Sequence, residues 1–537
     1  MHDPLVITLG IQPLDFMQDV ESTPHDAHPT LLPMLRTLTA LLLFPALAAA
    51  QANPAAHAAR MWRQQHERSI VDEFTTLLAI PNVSSDRPNI QRNAELVAKM
   101  LAARGLTPKL ASVAGGNPVV VAEIRTPGAT RTIGLYAHYD GQPLDPKEWA
   151  SPPFEPTLRN RPVEDGGTAI PLPAAGTPFN PEWRLYARGV GDDKAPIIAM
   201  LAALDAIRAA GLQMKSNIRL AFEGEEEAGS ANLENTIAAN KPLFAADLWL
   251  ICDGPVYQNR QQSLIFGARG SMTFDITTYG ARTELHSGHY GNWAPNPALE
   301  LARLLTSMKD HEGRVLIPGF YDQVEALGPA ERKAIADAPP IDAQLMRDFW
   351  LGSTDESPKG LYDLLTQPSL NIRGMSSSRV GAQASNVIPS TAFATLDIRL
   401  VKGMDLARTQ QVVHDYIRKQ GFFVVDREPT AEERRMHGKV AKVVFAERGG
   451  TVARRTPMSL PIAQDVIRTV ESARGPVVKL PTMGATVPLE AFERPLGAPT
   501  IIVPMANHDD NQHTFNENLR IQNLWDGIEL MAALLTM

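Results

Sequence analysis

The sequence predicts a layered α/β protein with a mainly parallel, mixed sheet, interrupted by an inserted α+β domain of ferredoxin-like pattern. Three observations carry this. From Met61 to about Gly267, helical patterns alternate with short apolar strands, as in chains whose sheet is covered by helices on both faces. At about Ala268 the pattern changes to period-two strands. After about residue 453 a helix followed by a buried strand returns.

The elements follow in order. Helical periodicity near 61–79 and 91–104 precedes the apolar strands "VVVAEI" and "TIGLYA". The helix "APIIAMLAALDAIRAAG" has Pro196 in its first turn and Gly211 just past its end, the expected start and stop signals. "IRLAF" and "LWLIC" are two further buried strands. Between Pro143 and Trp183 a Pro- and Gly-rich connection shows little periodicity and is expected to rim a site. Within 268–452, "GSMTFDITTYG" and "TAFATLDIRLV" read as strands interleaved with helices near 295–309 and 404–419, the split βαβ arrangement. Over 453–537, "PIAQDVIRTVESA" and "APTIIVP" complete the first domain.

An apolar fraction of 44% gives an ordinary globular core, and a net charge of -8 with no long basic tract argues against nucleic acid or anionic membranes as partners. The single cysteine, Cys252, excludes disulfides within the chain and thiolate zinc clusters, so any metal site must use His and carboxylate. The stretch "MLRTLTALLLFPALAAAQA", Met34 to Ala52, has the layout of a secretory signal. The expectation is therefore a signal peptide at 34–50, preceded by a non-native upstream extension at 1–33. The mature protein would begin near Gln51, be periplasmic or secreted, and keep no membrane anchor after cleavage.

Four apolar strands end in metal-capable side chains. These are His138 and Asp140, the glutamates of "EGEEEAGS" from Glu223 to Ser230, Asp253, and the run from His508 to His513. Ligands of open α/β sheets bind at the carboxyl ends of strands, so these residues should converge. Carboxylates crowded at a dry strand end repel one another and need a cation to offset that repulsion and their lost hydration. His and carboxylate without thiolate suit zinc, manganese or cobalt, and a carboxylate can bridge two ions. A neighbouring carboxylate that binds no metal can take a proton from the activated water.

From Met61 to the C-terminus the chain resembles the co-catalytic metallopeptidases that include carnosinase-type dipeptidases, succinyl-diaminopimelate desuccinylase, aminoacylases and glutamate carboxypeptidase. The motifs "AHYDGQP", "LYARGVGDDKAP", "FEGEEEAGS", "ICDGP", "ELHSGHYGN", "SNVIPSTAFATLDIRLV" and "NQHTFNEN" occur in family order. The resemblance implies an α/β/α catalytic domain, in two parts at 61–267 and 453–537, and a lid and dimerisation domain at 268–452. It implies two divalent metal ions per subunit, zinc first, with manganese or cobalt as alternatives. His138, Asp192, Glu227, Asp253 and His513 would be the metal ligands, with Asp192 bridging. Asp140 would hold the His138 ring and Glu226 would be the general base, while Glu225 is assigned no role. His286 would reach into the partner subunit's site, Arg399 would bind the substrate's terminal carboxylate, and Asn386 and Thr486 would be polar substrate contacts. The peptide bond between Asp192 and Asp193 is expected to be cis.

The implied protein is a secreted, homodimeric dipeptidase. An N-acyl amino acid deacylase of the same family is the alternative, since both substrates end in a carboxylate. Asp253 favours the dipeptide, because the family's dipeptidase and tripeptidase branches carry Asp there and its deacylases often Glu. A non-catalytic binding protein on the same scaffold is disfavoured, because no ligand or base is missing.

Overall fold

The strands that read as unbroken apolar runs are buried on both faces, which is what such runs require. In the strand Thr132–His138, Ile133, Leu135 and Ala137 join one hydrophobic core while Tyr136 joins the other. In Leu248–Ile251 the same alternation sends Leu248 and Leu250 one way and Trp249 and Ile251 the other. Gly134 lies directly under Trp249, whose ring would be 2.3 Å from any Cβ at that position. Two central strands thus pack through a glycine that no larger residue can replace without moving the indole. Cys252 is fully buried in the same core.

These strands belong to a computed structural model that describes residues 53–355, 359–446 and 450–537. The expected signal peptide at 34–50 and the segment 1–33 lie outside the described residues. The main sheet has eight strands. In spatial order they are Lys109–Ala111, Val119–Ile124, Asn217–Glu223, Thr132–His138, Leu248–Ile251, Thr500–Ile502, Ser263–Ile265 and Val478–Leu480. The four central strands, from Asn217–Glu223 to Thr500–Ile502, run parallel to one another, and antiparallel pairings flank them. One face is covered by the helices Pro54–Leu78, Lys194–Ala209 and Ile521–Leu535, which pack together. The Leu233–Ala239 and Leu489–Leu496 helices cover the other. The Pro54–Leu78 helix begins earlier than its periodicity shows, because Asn53 caps it by accepting from the Ala55 and Ala56 amides.

A second sheet is built only from residues between 270 and 445. Its five strands lie in the order Ser369–Ser377, Thr391–Leu400, Gly270–Tyr279, Val440–Phe445 and Phe423–Val425. The first four pair antiparallel in the ferredoxin-like order, with helices Pro297–Met308 and Leu406–Lys419 as the two crossovers. It has its own apolar core. The chain passes between the sheets through two short strands, Gly267–Ala268 and Arg454–Arg455, which pair with each other. Contact there is close: a Cβ on Gly267 would lie 2.3 Å from the Arg454 carbonyl oxygen.

Two regions differ from the periodicity-based reading. The connection from 143 to 183 is not featureless, since its Thr157–Arg159 segment pairs with Arg184–Tyr186, which pairs in turn with Asn518–Arg520. A strand of three residues leaves no periodic signal. Between 329 and 365 the chain forms the short helices Pro329–Asp337, Asp342–Asp348 and Leu361–Leu365, too brief to show an amphipathic repeat. Among the described residues no helix is long and apolar enough to cross a membrane.

Candidate metal centre and active site

The "EGEEEAGS" stretch follows a central strand, and each of its acidic side chains has a different surrounding. Glu223 is fully buried and accepts hydrogen bonds from Tyr136 Oη at 2.6 Å and Ser230 Oγ at 3.0 Å. Glu225 accepts from the Asn232 and Asn117 amides at 2.7 and 3.1 Å, so it pins the turn to a neighbouring loop. The Glu226 and Glu227 amides both donate to Asp140, one to each carboxylate oxygen, at 3.1 Å. The Glu227 carboxylate accepts from Gln142 at 2.7 Å. The Glu226 side chain makes no hydrogen bond to any described residue.

Asp140 has a second task. Its Oδ1 lies 3.4 Å from His138 Nδ1, beside the Asp140 carbonyl oxygen at 3.2 Å. One buried carboxylate therefore orients the histidine ring and fixes the backbone of two glutamates. His138 Nε2 faces Asp192 Oδ1 at 3.0 Å, and Asp192 Oδ2 lies 3.0 Å from His513 Nε2. Asp192 thus offers one oxygen to each of two histidines that are far apart in sequence. Gln512 donates to Asp192 Oδ2 at 2.6 Å, and His513 Nε2 lies 3.3 Å from Glu227. The backbone between Asp192 and Asp193 is cis.

The donors form two groups, His138 with Asp193 and Asp253, and His513 with Asp192 and Glu227. Within each group the atoms lie within 4.8 Å of one another. The closest donor pairs, at 3.0 to 3.3 Å, approach the ~3.4 Å that separates neighbouring ligands of a tetrahedral ion with bonds of ~2.1 Å. Imidazole nitrogens and carboxylate oxygens without thiolate are a donor set for zinc, manganese or cobalt. The residues present therefore fit divalent metal ions.

Electrostatics point the same way. Burial raises the Glu226 pKa well above its usual range against the lowering effect of His138, and the charges of Asp253, Glu227 and Asp192 add to the rise. Burial and the Asp192 charge push Glu227 up to about 8 and Asp253 to about 6. Burial would pull His138 down, but its bonds to Asp140 and Asp192 win and leave it raised. The hydrogen bond to Asp192 takes His513 up to about 9. Burial opposes the ionisation of Asp192, yet its bonds to His138 and His513 hold it well below the carboxylate range.

The other candidate residues lie in two further places. Arg399 is half-buried on the five-stranded sheet, 3.5 Å from Asp397, and close enough to Arg269 to lower its pKa. Thr486 donates to the Arg269 carbonyl oxygen at 3.0 Å. His286 and Asn386 are exposed on a small ribbon of two strands, Leu285–His286 and Val387–Ile388, where the Ser287 amide bonds to the Asn386 carbonyl. Neither contacts a candidate metal ligand of its own chain among the described residues.

Sequence reasoning passed over several residues. Asp193 accepts from the His138 amide at 3.2 Å and keeps its other oxygen buried without a partner. Glu517, fully buried, accepts from the amides of Gly189, Gly191 and Asp192 and from Arg188, and so shapes the turn that presents Asp192. Its place within "NQHTFNEN" was the available signal. His513 itself sits at a φ of 62°, uncommon for a residue other than glycine.

The profile of Peptidase family M20/M25/M40 matches residues 134–537. The Cys-Gly metallodipeptidase dug1 of Schizosaccharomyces pombe is 25% identical over 484 residues, covering 86% of this chain and 94% of that protein. The Beta-Ala-His dipeptidase of Homo sapiens is 27% identical over 428 residues, covering 78% of this chain and 76% of its own. Among solved structures, the M20 family metallo-carboxypeptidase Sso-CP2 from Sulfolobus solfataricus superposes with a TM-score of 0.68 at 26% identity, covering 87% of this chain and 98% of that one.

The raised pKa values set a pH dependence for the metal-free protein. Between their ordinary values of 4.5, 3.8 and 6.5 and their folded values of about 8, 6 and 9, Glu227, Asp253 and His513 hold protons that the unfolded chain has released. Stability must then fall as pH rises across that window. Thermal melts in chelator should show a Tm that drops from about pH 5 to about pH 8, and added zinc should raise Tm more at the higher pH, where protons no longer compete.

Proposed function

The chain belongs to Peptidase family M20/M25/M40 and is a metal-dependent peptidase acting on amide bonds, and from that premise we propose that it hydrolyses unblocked dipeptides with two divalent ions, zinc first. One observation carries the reading: Asp192 gives one oxygen to each of two His and carboxylate groups, and Glu226 stands beside them with no side-chain hydrogen bond to any described residue. The dipeptidase names of the relatives support the substrate class.

His138 and Asp253 would hold one ion and His513 and Glu227 the other, with Asp192 between them. When bound, the ions supply charge that lowers the pKa of a water toward ~7 and stabilises the oxygen charge that develops on the amide. Glu226 accepts the proton of the attacking water at a carboxylate oxygen and passes it to the amide nitrogen as the C–N bond breaks. Asp140, bonded to the Glu226 and Glu227 amides, keeps base and ligand at a fixed offset. Arg399 receives the substrate's terminal carboxylate and Thr486 adds a polar contact. The exposure of His286 and Asn386 supports their action in a second copy's site, hence a homodimer formed through the 268–452 lid domain.

Glu226→Gln should keep its metal while turnover falls by about 10²- to 10⁴-fold, since only proton transfer is removed. Metal content by mass spectrometry, measured alongside kcat, checks this, and metal lost with activity would make Glu226 a ligand. For the substrate class, the metal-loaded enzyme should cleave free dipeptides with a higher kcat/KM than N-acetyl or N-succinyl amino acids. The reverse ranking would reassign it as a deacylase. Inactive His286→Ala and Glu226→Gln subunits, once mixed into dimers, should regain part of the activity, because one site then has both groups. Silent mixed dimers would place the histidine's action within its own chain.

A further inference from the structure

Arg269 is a buried cation that the chemistry above leaves unused. It sits where the chain passes from the linker strand Gly267–Ala268 into Gly270–Tyr279, and it is only 7% exposed. Its Nη2 donates to the Gln367 carbonyl at 2.8 Å and to Ser369 Oγ at 2.9 Å, while its Nε is buried without a partner. It forms no ion pair with any carboxylate among the described residues. A buried guanidinium with no counter-charge is costly, and natural proteins rarely leave one without an anion to meet it.

The neighbourhood sharpens the point. Ser369, which Arg269 contacts, is the cross-strand partner of Arg399, and so is Ser271 on the other side. Burial and the nearby Arg399 charge lower the Arg269 pKa to about 10, against the opposing charge of Asp397. Among the described residues the only carboxylate paired with either is Asp397, 3.5 Å from Arg399 Nε and also bonded by Asn371. Two guanidiniums and one carboxylate leave one positive charge, which a single further carboxylate would neutralise. Thr486, from the other sheet's half of the chain, is tied to this spot through the Arg269 carbonyl.

We propose that Arg269 is the second cation of the receptor for the substrate's terminal carboxylate, which lies between the Arg399 and Arg269 guanidiniums. The proposal rests on the peptidase reading and adds a specificity residue to it. Arg399 is half exposed and adjustable, whereas Arg269 is held by Gln367 and Ser369. The fixed member selects for a carboxylate at that point and rejects a neutral amide, which could not pair with it.

The test is a comparison of dipeptides with free and amidated C-termini in Arg269→Gln and Arg269→Lys. Arg269→Gln should lower kcat/KM for the free acid by about 10- to 100-fold, mainly through KM, and should not lower the amide's value. Arg269→Lys, which keeps the charge and loses the fork, should fall between, and it serves if the Gln variant folds poorly. Equal losses on acid and amide, a loss confined to kcat, or no change would overturn the proposal. If the wild-type enzyme cleaves no dipeptide, the functional reading fails instead. The receptor is then judged by acetate, which should raise the Tm of the wild type more than that of Arg269→Gln, and equal shifts would refute it.

Discussion

The packing of like charges at the carboxyl end of one sheet is the constraint on which the rest of this structure depends. Asp140, Asp192, Asp193, Asp253 and Glu223 are each at most 4% exposed. At an effective dielectric of ~20, two like charges ~4 Å apart repel by roughly 4 kcal/mol. A typical hydrogen bond returns only about 1 kcal/mol. No single contact can hold such a cluster, so the fold distributes the task. Glu223 and Glu225 are tied to a tyrosine, a serine and backbone amides, Asp140 accepts two amides, and Asp192 is flanked by two imidazoles. What remains after these bonds is a pair of donor groups suited to cations and one glutamate, Glu226, whose side chain bonds to no described residue.

Much of this was legible in the sequence because strand ends are legible. An apolar run that stops at a His, an Asp or a Glu announces both a buried strand and the residue at its rim. His138 and Asp253 could be read that way, strand ends narrowed two further sites to the glutamates of 223–230 and the run 508–513, and the resemblance of the motifs picked out Glu227, His513 and Asp192. Two strands of the five-stranded sheet, Gly270–Tyr279 and Thr391–Leu400, and its two crossover helices were likewise readable from their periodicity. What escaped was support. Glu517 acts on Asp192 through backbone amides, and a carboxylate that binds amides looks in sequence like any other. Glu225 was set aside as unassigned, although it fastens the turn on which Glu226 and Glu227 stand. The strand Thr157–Arg159 was invisible for a different reason: three residues cannot show a period, and its pairing is dictated by Arg184–Tyr186 far down the chain.

The two sheets divide the chemistry. The candidate metal ligands lie at the end of the eight-stranded sheet and, for Asp192, in the turn between the Arg184–Tyr186 strand and the Lys194–Ala209 helix, while Arg399 stands on the five-stranded sheet. The chain crosses between them at the paired strands 267–268 and 454–455, where Gly267 leaves no space for a side chain. Arg269 follows that crossing by one residue, and Thr486 reaches it from the loop after the Val478–Leu480 strand. The proposed carboxylate receptor is therefore built at the joint, from both halves of the fold, and not on the five-stranded sheet alone.

That location bears on how binding and catalysis are coupled. An anion seated between Arg269 and Arg399 cancels a repulsion between a guanidinium held by Gln367 and Ser369 and one that is half exposed on the same five-stranded sheet. Filling the receptor lowers the energy of arrangements that bring those two residues together, and an empty receptor opposes them. A ligand can shift such an equilibrium only by its differential affinity for the two arrangements. A neutral C-terminal amide lacks the charge that would create that difference. On the proposed reading, charge recognition at one end of the substrate and the orientation of its scissile bond at the other become parts of one event, which gives a use to a buried arginine that forms no ion pair among the described residues.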